Sequence, residues 1–158
     1  MTDSEADAKK YAFMLLSYRG RSEKELQERL EQKGFSESNV LSTLKHLKQA
    51  GYLDDHALAL HLKHQAFNNK LLGHASAKRF LLSRGVPKEI VNETLKYDEE
   101  TEACKIQKLI DKKLKIMGNC PNQKKEKRLR DFLVRKGYTF STIRNAFHNL
   151  KQTEEEKE

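Results

Sequence analysis

The residues of this chain best able to act in concert are its cations. Between Lys124 and Lys136 stand seven of them (Lys124, Lys125, Lys127, Arg128, Arg130, Arg135 and Lys136), against only Glu126 and Asp131. Such a cluster can neutralise phosphates or acidic side chains, or it can be a solvated helix face, since lysine-rich helices are common. If several of these cations meet phosphates, affinity falls by about 0.7 to 0.9 log units per contact per decade of salt. Arg79 and Arg84 are second choices for the same work. Other groupings offer less. Asp54 and Asp55 are adjacent and would diverge on a helix, so a helix start explains them better than a metal or acid–base pair. His56, His61 and His64 have no acidic or cysteine partner at helical spacing, which leaves them as solvated side chains. Lys105, Lys108, Lys112 and Lys115 recur at helical spacing and read as a solvent-facing stripe. Cys104 and Cys120 lack a second pair and a close histidine, so they are expected as two free thiols, Cys104 turned toward the core. No glycine-rich phosphate loop follows a strand, and no Gly-x-Ser-x-Gly is present. The chain is therefore read as non-enzymatic, with no catalytic residue, metal or cofactor.

The elements that must position these cations are set by a motif that occurs three times. Leu30-Glu31-Gln32-Lys33-Gly34-Phe35 returns as Leu81-Leu82-Ser83-Arg84-Gly85-Val86, and again as Leu133-Val134-Arg135-Lys136-Gly137-Tyr138. Each copy has a leucine four before the glycine, a cation just before it and an apolar residue just after. Apolar residues also follow in register: Val40 and Leu44, Val91 and Leu95, Ile143 and Phe147. A helix commonly ends by placing one residue in the left-handed region, which glycine tolerates, with a cation suiting the negative end of the dipole. The unit reads as helix, glycine corner, helix, and repetition at a long fixed period marks stacked supersecondary units. Three unrelated helix ends would not keep the flanking apolar positions in step.

Further signals complete the units. Tyr11, Ala12, Leu15 and Leu16 predict a first helix running to about Tyr18, and Ser22 with Glu25 a capping box that opens the second. Ser36 opens a third helix, with Val40, Leu41, Leu44 and Leu47 inward. Leu58, Ala59, Leu62 and Ala66 belong to the next, and 68–73 to a connection. A helix runs from about His74 to Arg84, and another starts near Pro87. Asp98 opens a helix burying Ala103, Ile106, Ile110, Leu114 and Met117, and Thr139 caps a last helix ending near Leu150. The organisation expected is a flexible tail over 1–9, three-helix repeats over 10–51, 52–97 and 98–150, and an acidic disordered tail over 151–158.

Composition agrees with an all-α fold. Charged residues make up 34% and aromatics 8%, without tryptophan, which favours helices with narrow apolar stripes over a sheet sandwich. No apolar run approaches a membrane span and the acidic N-terminus is unlike a signal peptide, so a soluble cytoplasmic monomer is expected. The net charge of +8 is concentrated in 98–150 and suggests an anionic partner, nucleic acid or an acidic protein surface. Few aromatics remain for stacking, which argues against sequence-specific reading of single strands.

One combination is more specific than its parts. Ser22-x-x-Glu25-Leu26, Leu30-x-x-Lys33-Gly34-Phe35, Gly51-Tyr52-Leu53-Asp54-Asp55 with Ala59, Gly73 with Gly85, and Arg135-Lys136-Gly137-Tyr138 together resemble the RecX family, regulators of the bacterial RecA recombinase. The resemblance implies three tandem three-helix repeats in an elongated, curved arrangement. It also implies a protein lying in the groove of a RecA filament on DNA, restraining filament growth, ATP hydrolysis and strand exchange in DNA repair, recombination and the SOS response. Its DNA contacts would be sequence-independent and made to phosphates. This chain has Ala57 and Leu58 where the family usually shows an arginine and an aromatic. Ala66 stands for an arginine, His74 and Ser76 for a proline and an arginine, and Phe80 for a glutamate. Two rival readings are a stand-alone nucleic-acid-binding helical module and a repeat scaffold for another acidic protein.

Overall fold

Short polar side chains start most helices of this chain by one device, an oxygen accepting an amide N–H three residues on. In the computed structural model, which describes residues 3–158, Ser4 caps α1 (Glu5–Tyr18), Ser22 caps α2 (Glu23–Lys33) and Ser36 caps α3 (Glu37–Gln49). The Asp54 carboxylate accepts the N–H of His56 and Ala57 at the start of α4 (Asp55–His64). A π-helical turn, Gln65–Asn69, extends α4, and α5 (His74–Ser83) and α6 (Lys88–Thr94) follow. Asp98 caps α7 (Glu99–Met117), α8 (Asn122–Arg135) follows Pro121, and Thr139 caps α9 (Phe140–Glu155). The described residues contain no strand, and no helix among them is long and apolar enough to cross a membrane. The architecture is three tandem three-helix repeats, α1–α3, α4–α6 and α7–α9.

The three motif glycines make the same corner. Gly34, Gly85 and Gly137 have φ of +100°, +80° and +94°. After each, the next residue donates its N–H five residues back: Phe35 to Leu30, Val86 to Leu81 and Tyr138 to Leu133, at 3.2–3.3 Å. The repeated leucine is thus both a core side chain and the acceptor that closes the helix end. The corners differ in what they touch. A Cβ on Gly34 would meet open space, one on Gly85 would fall on the Ser22 hydroxyl, and one on Gly137 on that of Ser76.

The chain forms two compact units. One comprises the residues up to Leu62 together with Leu81–Thr94; the other comprises Lys63–Phe80 and Leu95–Glu158. The division passes through α4 and α5, so the middle three helices are not a compact body by themselves. In the first unit Ala8, Ala12 and Leu15 of α1 pack with Leu26 and Leu30 of α2 and Val40, Leu44 and Leu47 of α3. Ile106, Leu109 and Ile110 of α7, Leu129 and Leu133 of α8, and Ile143, Ala146 and Phe147 of α9 form the core of the second.

Several elements depart from the sequence expectation. The stretch 1–9 is helical from Glu5, because Ser4 supplies the cap and Ala8 is fully buried; Met1 and Thr2 lie outside the described residues. The stretch 151–158 continues α9 to Glu155 with every side chain exposed. Lys105 is buried rather than solvent-facing, and Ala103, Cys104 and Leu114 are exposed. The face of α7 that turns inward is that of Glu102, Lys105, Ile106, Leu109 and Ile110. Leu41 is also outward, 52% exposed. The capping box at α2 is half made: Ser22 accepts the Glu25 N–H at 3.0 Å, but the Glu25 carboxylate goes to Arg19 and Arg21. Asp55 serves α2 rather than α4, its carboxylate accepting the Glu23 N–H at 3.0 Å.

Candidate nucleic-acid interface

Helical periodicity divides the basic segment of α8 into unlike faces. Leu129 and Leu133 turn inward, which puts Lys124, Lys127, Arg128 and Arg135 together on the outer side, all exposed. Asp131 lies among them. None of these four cations has a carboxylate within ion-pair distance among the described residues. Arg128 makes only a long contact, 4.0 Å, to the Cys120 sulfur. This face is where an anionic partner would meet uncompensated charge.

The remaining candidates are engaged within the protein. Arg130 lies on another flank, paired with Glu126 at 2.7 Å and stacked 5.0 Å from the Phe147 ring. Lys125 is half-buried in a hollow with Lys151 and Glu154. Lys136 donates to the Lys70 carbonyl at 3.3 Å and lies 5.6 Å from the Phe132 ring. Arg79 is exposed and bonds Ser76 at 2.9 Å. Arg84, in the first unit, donates to the Gly20 carbonyl at 3.2 Å. Arg84 and Lys136 occupy the same place in the repeated motif, each holding a carbonyl of a loop that precedes an earlier helix. The motif cation is therefore an internal staple in these two copies as well as a helix-end charge.

One residue missed in the sequence joins the α8 face. Lys113 of α7 lies 4.5 Å from the Phe132 ring, and a hollow of about 260 Å³ is lined by Lys113, Met117, Arg128, Asp131, Phe132 and Arg135. The hollow pairs an apolar floor with a cationic rim. Position alone did not mark Lys113, because α7 carries lysines around much of its circumference.

A polar knot supports α7 and the connection to α5. Lys105 forms an ion pair with Glu102, donates to the Leu72 carbonyl at 2.8 Å and sits 3.5 Å from the Phe67 ring centroid. Glu102 also accepts the His74 N–H at 3.2 Å, and the Tyr138 hydroxyl donates to the Leu71 carbonyl at 2.6 Å. Burial lowers the Lys105 pKa, with Glu102 opposing it. Burial likewise raises the Tyr138 phenol and lowers the His74 imidazole. These groups bond one another or nearby backbone carbonyls, so they read as scaffold. Among the described residues no group of three His, Cys, Asp or Glu side chains is placed to hold a metal.

Comparison with known proteins gives this arrangement its kin. The family model described as RecX, first three-helix domain, matches residues 8–47, and that of the RecX third three-helix domain matches 100–147. The chain is 31% identical over 136 residues to the regulatory protein RecX of Chlorobaculum tepidum, covering 86% of this chain and 83% of that one. It belongs to the RecX family. It is also 31% identical to the regulatory protein RecX of Staphylococcus carnosus, of whose length it spans about half, 52%. The fold is shared with a crystal structure of RecX from Lactobacillus salivarius, at a TM-score of 0.79 with 20% identity, covering 96% of this chain and 99% of that one. A second RecX crystal structure matches at a TM-score of 0.76 with 25% identity, covering 91% of this chain and 73% of that one. The matched spans hold the Gly34 and Gly137 corners, and the RecX third domain carries the cationic face of α8. The family is one of regulatory proteins.

Proposed function

We propose that this chain is a non-enzymatic regulator that binds a RecA-type recombinase filament on DNA and restrains filament growth, ATP hydrolysis and strand exchange. Membership of the RecX family supports the choice of partner. The observation that carries the nucleic-acid part is the set of uncompensated cations on one side of α8: Lys124, Lys127, Arg128 and Arg135. Exposed cations without a carboxylate partner are open to phosphates, and many weak contacts along a repetitive polymer add up without a deep pocket. Arg130, Lys125 and Lys136 take lesser parts, because their charge is already engaged or half-buried.

The test is recombinase ATP hydrolysis on single-stranded DNA, with and without this protein. Inhibition by the native chain, lost when Lys124, Lys127, Arg128 and Arg135 are all changed to glutamate, is the expected result. Unchanged hydrolysis with native protein removes the recombinase reading. Tight binding to naked DNA in the same preparation would then favour a stand-alone nucleic-acid-binding module.

A further inference from the structure

The first unit carries a second cluster of cations, unrelated to α8. Arg19 stands at the end of α1, Arg21 two residues on, and Arg84 just beyond α5. Glu25 is the carboxylate that Arg19 and Arg21 share: its Oε1 accepts from Arg19 Nη2 and Arg21 Nη1, each at 2.5 Å. Arg21 Nε also donates to the Leu15 carbonyl, and Arg84 Nη2 to the Gly20 carbonyl, both at 3.2 Å. Three guanidiniums thus crowd one short loop, with the Glu25 carboxylate bonded to two of them. Burial and then repulsion from Arg19 lower the Arg84 pKa, with Glu25 opposing and Arg21 adding to the effect. An oxyanion entering this loop would relieve the crowding, and guanidinium forks match phosphate geometry.

The wall beside the loop carries an exposed tyrosine ring. A hollow of about 220 Å³ is lined by Gly20, Arg21, Tyr52, Asp54, Leu58 and His61, among others. Tyr52 is 61% exposed, and Phe13 braces it in a T-shaped pair with ring centroids 5.1 Å apart. Tyr18, next to Arg19, is 75% exposed. The carboxylate in that wall, Asp54, is engaged by the His56 and Ala57 N–H groups at 3.0 and 3.2 Å. Guanidiniums next to an open tyrosine ring fit the two repeating parts of a nucleic-acid strand, phosphodiester and base. An acidic peptide would use the guanidiniums and leave the ring idle.

We infer that the loop between α1 and α2 is a second nucleic-acid site, taking single-stranded nucleic acid with a phosphodiester on the exposed Arg19, which Arg21 and Arg84 support from within the loop, and a base on Tyr52. The site does not depend on the recombinase reading or on the α8 face.

The test is a titration of the full chain, labelled with nitrogen-15, with a short oligothymidylate and in parallel with polyglutamate, read by NMR. Oligothymidylate should shift the Arg19 and Arg21 Nε–H signals and the Gly20 and Tyr52 amides. Tyr52→Ala should weaken that binding about tenfold or more, as loss of one stacked base implies, and Tyr52→Phe should keep it. Arg19→Gln, on an exposed side chain, should weaken it as well. Shifts confined to α8, equal binding of polyglutamate at the loop, or unchanged affinity in a folded Tyr52→Ala or Arg19→Gln variant would each overturn the inference. The α8 signals are read in the same spectra, so the two surfaces succeed or fail separately.

Discussion

Replacing Glu102 with leucine should strand a buried ammonium. Glu102 is 3% exposed and Lys105 5%, and the pair is completed by the Leu72 carbonyl, the Phe67 ring and the His74 N–H. Removing one partner of a buried pair costs about 3–5 kcal/mol, because the other charge stays buried without compensation. That is a large share of the roughly 5–15 kcal/mol that holds a typical domain folded. Lys105→Met should cost a similar amount, since Glu102 would keep only the His74 N–H. The double variant Glu102→Leu, Lys105→Met should recover part of the loss, falling short by about 1 kcal/mol for each of the two backbone groups left without a partner, the Leu72 carbonyl and the His74 N–H. The chain has two compact units, so a single global transition is not assumed; hydrogen exchange of α7 amides under native conditions reads the second unit directly. The pH dependence has a definite sign. A lysine whose folded pKa is lowered binds fewer protons folded than unfolded, so stability rises with pH through that window. Loss of Glu102 lowers the Lys105 pKa further, so the deficit of Glu102→Leu should shrink as pH is raised toward the ordinary lysine range. A single-variant loss below about 1 kcal/mol, or a double variant as unstable as the two single ones summed, would refute the reasoning.

Other consequences can be checked with fewer variants. Gly34→Ala should cost about 1–2 kcal/mol for its left-handed backbone alone, whereas Gly85→Ala and Gly137→Ala should cost more, having Ser22 and Ser76 in the way; urea titration ranks them. Asp55→Ala should lose about 1 kcal/mol with the cap on α2. Asp55→Asn keeps the acceptor and removes a charge whose pKa burial raises, so it should match or exceed the native protein at neutral pH. That advantage should fade as pH falls through the carboxylate range and native Asp55 protonates, an effect visible in parallel denaturation series. Changing Lys124, Lys127, Arg128 and Arg135 to glutamine one at a time should each reduce the salt slope of duplex binding by about 0.9, and an unchanged slope would remove that residue from the interface.

Much of the candidate surface was legible because helical periodicity is strong where apolar residues are large. Leu129 and Leu133 alone orient α8, and with it the outward Lys124, Lys127, Arg128 and Arg135. Where the buried face is made of small or charged residues the pattern misleads. Ala8 and Ala12 hold α1 in the core with little hydrophobic signal, so the helix starts earlier than Tyr11 suggests. On α7, Glu102 and Lys105 are inside because each neutralises the other, and the true stripe is rotated away from Ala103 and Leu114. Sequence distance hid the other partnerships. Asp55 caps a helix whose first residue lies 32 positions earlier, and Lys136 reaches a carbonyl 66 positions away.

What the order of residues determined alone was local: the caps at Ser22, Ser36, Asp98 and Thr139, the left-handed corners after Leu30, Leu81 and Leu133, and hence the repeated all-α unit. Those features rest on hydrogen bonds and backbone sterics within a few residues, so neighbours suffice to specify them. Which cations remain available was decided only by the tertiary structure. Arg84, Arg130 and Lys136 found carbonyls, a carboxylate and aromatic faces, while Lys124, Lys127, Arg128 and Arg135 did not. A charge is compensated by whatever lies within a few ångströms, and that neighbourhood exists only once distant segments have packed.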